Sequence, residues 1–156
     1  MDKSTLIKIL DFLKSEEDKS SLRWILLHDI ESMPEKYFNK GKLELHGELI
    51  TKLPKNLEVT ELLDLSFSTV TELPKKLIVG DNLLLYSCRD LKSLPDNLYV
   101  GGHLHMQRTG IKEFPIGMTV KGTIWLGNSP LGRYTVKEIK AQLEERNCKV
   151  HGPIMV

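Results

Sequence analysis

His103 and His105 are the two closest imidazoles in the chain, separated only by Leu104. On an extended backbone, residues two apart share one face, so the pair could reach a single metal ion or a single substrate atom. A hydrolase or metal enzyme built on His103 and His105 needs a third group, and no cysteine or carboxylate follows at a ligand-like spacing. The G-x-G-x-x-G, P-loop, H-E-x-x-H, G-x-S-x-G and C-x-x-C patterns are absent. Two outward histidines on one strand fit a polar binding face better than a metal site, so the chain reads as a non-enzyme without cofactor or metal. Cys88 and Cys148 fit a reduced, intracellular setting.

What positions these histidines is a repeat. Met33-Pro34, Leu53-Pro54, Leu73-Pro74, Leu94-Pro95 and Phe114-Pro115 open successive phrases 20 or 21 residues apart. Inside each phrase an apolar pair (Leu57/Val59, Leu77/Val79, Leu98/Val100, Met118/Val120) precedes a second (Leu43/Leu45, Leu63/Leu65, Leu83/Leu85, Leu104/Met106, Ile124/Leu126). A third apolar point follows at Ile50, Val70, Leu91, Ile111 and Leu131. One cycle of about twenty residues cannot close a core, but stacked cycles place each apolar point over its equivalent. Each pair therefore points inward from a short strand, the prolines sit outside the sheet, and Gly80, Gly101-Gly102 and Gly122 mark turns between the pairs.

The phrase L-P-x-x-L-x-V-x-G-x-L-x-L-x-x-T-x-I resembles a short leucine-rich repeat of the kind found in bacterial and bacteriophage proteins, over roughly residues 33 to 132. The resemblance implies an α/β repeat solenoid of about five turns with a parallel β-sheet. Two departures leave a squarer, parallel β-helix-like coil open. The position usually held by Asn carries Ser68, Cys88, Thr109 and Ser129, with Glu48 in the first cycle, and V-x-G replaces a family Leu. Glu48 could not stand there buried and unpaired.

Solenoid ends expose apolar surface that terminal elements must cover. Residues 1–32 are expected to form a helical cap of two helices. The first is opened by Ser4 with Leu6, Ile9, Leu10 and Leu13 on one stripe; the second runs to about Ile30 with Leu22, Ile25, Leu26 and Ile30 inward. Residues 133–156 are expected to form a C-terminal helical cap and tail. There Thr135 and Glu138 have capping-box spacing, Val136, Ile139 and Leu143 form the stripe, and "CKVHGPIMV" follows as a short strand or tail. With 22 basic and 21 acidic residues among 156, the chain lacks the field of a nucleic-acid or membrane binder, and a cytoplasmic protein is expected.

The outward residues carry the functional expectation. The middle of each second pair gives Glu44, Asp64, Leu84, His105 and Trp125; just after it stand His46, Ser66, Tyr86, Gln107 and Gly127; His103 lies just before its pair. Large apolar groups sharing an exposed face mark interaction surfaces. The expected function is a protein-binding module using Glu44, Asp64, Leu84, Tyr86, His103, His105 and Trp125 against another protein. The resemblance extends this to a phage or bacterial inhibitor of a host protein, such as a defence component. A structural or assembly component joined through its ends is the alternative.

Overall fold

A computed structural model describes residues 22–156, so the first expected helix lies outside the described residues. Helix α1 (Leu22–His28) and a 3-10 turn (Ile30–Ser32) lead into a coil of parallel strands. The paired apolar positions build two sheets rather than the expected one. The first contains β1 (Lys36–Asn39), β3 (Asn56–Val59), β5 (Ile78–Val79), β7 (Tyr99–Val100), β9 (Thr119–Val120) and β11 (Lys149–Val150), in that order. The second contains β2 (Leu43–Glu44), β4 (Leu63–Asp64), β6 (Leu83–Leu84), β8 (Leu104–His105), β10 (Ile124–Trp125) and β12 (Ile154–Met155). Each turn of the coil contributes one strand to each sheet, and every pairing is parallel.

The register reproduces the sequence period. Val59 stands beside Val79, Val79 beside Val100 and Val100 beside Val120, while Leu63, Leu83, Leu104 and Ile124 align in the other sheet. Leu57, Val59, Leu63, Leu65, Val79, Leu83, Leu85, Leu98, Val100, Leu104 and Met106 are all fully enclosed, as is the third column from Val70 to Leu131. Between the sheets the chain turns at stacked corners. A Cβ on Gly101 would fall 2.1 Å from the Gly80 carbonyl oxygen, so the backbone packs there without room for a side chain.

The last turn is longer. Val120 pairs with Val150 and Ile124 with Ile154, thirty residues apart, because a 3-10 turn (Leu131–Arg133) and helix α2 (Val136–Glu145) intervene. The expected capping box forms, with Thr135 Oγ1 accepting from the Glu138 N–H and the Glu138 carboxylate accepting from the Thr135 N–H. Ile139 and Leu143 enter the core, whereas Val136 is exposed. "CKVHGPIMV" is therefore another turn of the coil, and both sheets take in residues beyond 132. At the other end Leu22 and Leu26 join the core, while Ile25 is half-buried and Ile30 exposed, because α1 stops at His28. Among the described residues no helix is long and apolar enough to cross a membrane.

Candidate interaction face

The chain leaves β2, β4, β6, β8 and β10 of the second sheet through the same four-residue turn. The N–H groups of Glu48, Ser68, Cys88, Thr109 and Ser129 donate to the carbonyls of Leu45, Leu65, Leu85, Met106 and Leu126. The third residue of each turn, Gly47, Phe67, Ser87, Arg108 or Asn128, has φ between 56° and 71°, the signature of a type II turn. The fourth residues face inward. The Cys88 thiol donates to the Leu65 carbonyl at 3.0 Å, and the Thr109 hydroxyl donates to the Met106 carbonyl at 2.8 Å. Glu48 stays partly exposed and pairs with Arg23 at 2.7 Å, which resolves its carboxylate.

This turn row contains an aromatic residue in left-handed backbone. Phe67 has φ 60° and is 51% exposed. A bulky L-residue in left-handed backbone costs on the order of 1–2 kcal/mol, and such outliers concentrate at functional sites. Its ring contacts two others, His46 at 5.2 Å edge-on and Tyr86 at 5.2 Å tilted, and the Arg108 guanidinium lies 5.7 Å over Tyr86. His46, Phe67, Tyr86 and Arg108 thus form one continuous row across four turns. The signal was present in the sequence as a column in which Gly47, Ser87 and Asn128 are turn formers and Phe67 is not.

The strand row lies alongside it. Glu44, Asp64, Leu84, His105, Trp125 and Met155 occupy successive register positions of the second sheet. Glu44 is exposed, while Asp64, Leu84, Tyr86, His105 and Trp125 are half-buried. Asp64 accepts from the Ser66 N–H at 2.9 Å and lies 3.6 Å from the His46 ring nitrogen. His105 stacks on Trp125 with centroids 5.6 Å apart and planes 12° apart. Burial, and then the neighbouring His103, hold the His105 imidazole below its ordinary pKa, which favours the neutral, stackable ring.

His103 is exposed, and its Nδ1 accepts the Thr123 N–H at 2.9 Å, leaving the neutral ring's proton on Nε2. That bond ties the ring to the next turn of the coil instead of offering both nitrogens outward. The His103 and His105 centroids are 6.5 Å apart, and no group of three metal-ligating side chains gathers among the described residues. Gln107, in the same row as Tyr86, has a buried Oε1 without a hydrogen-bond partner among the described residues.

The first sheet also exposes apolar groups. Phe38, Ile78 and Tyr99 are 57%, 42% and 37% exposed, and Glu58 separates Phe38 from the other two in the register. Among the described residues no ring contact joins them. No family model, no curated protein and no solved structure matches the chain.

Proposed function

We propose that this protein is a non-catalytic protein-binding module, a leucine-rich-repeat-like solenoid, which meets its partner through the outer face of the second sheet and the turn row beside it. The single observation that carries the reading is the preassembled, half-exposed row His46, Phe67, Tyr86 and Arg108, with the stacked His105 and Trp125 next to it. Rings that already support one another lose little conformational freedom on binding, and aromatic and Arg anchors dominate interface energies. Glu44 and Asp64 at one end add charge that steers encounter. The resemblance to bacterial and bacteriophage repeat proteins supports an inhibitor of a host protein acting in the cytoplasm.

The test is to isolate a partner from host lysate and measure its affinity by calorimetry. Tyr86→Ala and Trp125→Ala should each weaken binding by about 1–3 kcal/mol. Tyr99→Ala and Lys75→Ala should leave it unchanged. Affinity lost with Tyr99→Ala but retained in the Tyr86/Trp125 double variant would move the site to the first sheet.

A further inference from the structure

The near-zero overall charge hides a sorting of charge between the faces of the coil. The strands of the first sheet alternate, with Leu57, Val59, Val79, Val100 and Val120 enclosed and the residues between them outward. These outward residues form three rows along the coil axis. The middle row runs Phe38, Glu58, Ile78, Tyr99, Thr119 and Lys149, neighbours in the register. On one side of it stand Lys36 and Lys76, two residues before Phe38 and Ile78; on the other stand Lys40 and Lys121, two residues after Phe38 and Thr119. All five lysines are exposed, and Glu58 is the one carboxylate within these rows. The carboxylates of Glu61 and Asp81 lie beyond them, at the corner toward the second sheet. Among the described residues none of the five lysines makes an ion pair. A chain of 22 basic and 21 acidic residues thus keeps one basic face, which attracts an anionic partner.

The shape of the face selects among anions. Phe38, Ile78 and Tyr99 are exposed along the middle row, and a hollow of about 620 Å³ lies between Phe38 and Ile78, lined also by Lys36 and Lys76. At ~4.8 Å per turn the row from Phe38 to Lys149 is ~24 Å long, and at ~3.3 Å per residue the two flanking lysine rows are ~13 Å apart. An α-helix of about 16 residues is ~24 Å long and ~10–12 Å across. Laid along the row, such a helix sets an apolar stripe on Phe38, Ile78 and Tyr99 and brings carboxylates on both flanks to the lysines. Other anions fit less well. Glu58 stands inside the apolar row, where a lipid surface would draw its carboxylate toward hydrocarbon. No arginine stands in the three rows to grip nucleic-acid phosphates with two hydrogen bonds.

We infer that the outer face of the first sheet is a docking site for an acidic amphipathic helix of a partner protein. It lies on the opposite sheet from the row of His46, Phe67, Tyr86 and Arg108, so this inference is independent of the function proposed above.

The probe is a fluorescein-labelled synthetic peptide of about 16 residues, with Leu at helical spacing and Glu on both flanks, titrated with the full chain and followed by anisotropy. A Kd of about 100 µM or tighter is expected, weakening as salt is added. A peptide of the same composition with its leucines scrambled off the stripe should bind about tenfold more weakly. The double variant Lys36→Glu/Lys76→Glu reverses the charge beside the hollow, and Ile78→Asp spoils the apolar row; each should raise the Kd about tenfold or more. Tyr86→Ala and Trp125→Ala, on the second sheet, should not change it. Circular dichroism checks that each variant is folded, and if Ile78→Asp is not, the lysine variant decides. No saturable binding below ~1 mM, equal binding of the scrambled peptide, indifference to the lysine variant, or tighter binding to phosphatidylserine vesicles or oligothymidylate than to the peptide would overturn the inference.

Discussion

Replacing Phe67 with Asn should leave stability nearly unchanged while removing the centre of the proposed contact row. The ring is 51% exposed, so about half of a fully buried Phe contribution of ~1.5–3 kcal/mol is at stake. Its contacts with His46 and Tyr86 add about 0.5–1.5 kcal/mol, nearer the lower bound on an open surface. Against this, Phe67 sits at φ 60°, and Asn tolerates that conformation as Asn97, Asn128 and Asn147 do in this chain. Relief of about 1–2 kcal/mol of backbone strain offsets most of the loss. The net change should lie within about 1 kcal/mol, or roughly 2–4 °C in Tm for a chain of this size. Urea unfolding followed by circular dichroism measures it, with Leu85→Ala as the contrasting core variant, expected to cost about 2–5 kcal/mol because Leu85 is fully enclosed. If Phe67→Asn costs as much as Leu85→Ala, the ring is a structural element and the reasoning from its exposure and strain is wrong.

Other outcomes follow from the same geometry. Gly101→Ala should destabilise the coil by more than the ~0.5–1 kcal/mol that Gly and Ala ordinarily differ, because the added Cβ meets the Gly80 carbonyl oxygen at 2.1 Å; a melting curve within a degree of the parent would refute the stacked corner. His105 has a folded pKa below its ordinary 6.5, so the stability linked to its neutral form is present above that value and is lost as pH falls below it. His105→Gln should flatten this part of the stability–pH curve, as read by denaturant midpoints. Glu138 is held below its ordinary 4.5 by hydrogen bonds from Thr135, so its contribution to α2 is present above 4.5 and disappears as pH falls through the lowered value. Amide exchange in α2 should report that loss, and Glu138→Gln should remove its pH dependence.

The coil was legible because burial repeats every 20 or 21 residues, and Val59, Val79, Val100 and Val120 stack as that spacing requires. Thr135 and Glu138 were legible because a capping box is a local contract between two side chains and two N–H groups. The last turn was not, because α2 stretches its interval to thirty residues; yet Val150-x-Gly152-x-Ile154-x-Val156 repeats Val120-x-Gly122-x-Ile124-x-Leu126 position for position. Spacing alone does not divide the strands between two sheets, so it does not show that Phe38, Ile78 and Tyr99 face outward. For the candidate face, the row through Glu44, Asp64, Leu84, His105 and Trp125 could be read from alternation. Phe67 and Arg108 stand in a column whose other members, Gly47, Ser87 and Asn128, are turn formers, but alternation does not carry that signal, because the left-handed backbone there is set by the stacked turns.

Site-specific photo-crosslinking distinguishes which sheet of the coil meets the partner. A benzophenone amino acid is placed at position 67 on the turn row, or at position 99 on the first sheet, and each protein is irradiated with the purified partner. Position 67 should give a strong crosslink and position 99 little, with the former suppressed by an excess of unlabelled parent protein. An efficient crosslink from position 99 with none from position 67 would contradict the proposed second-sheet contact.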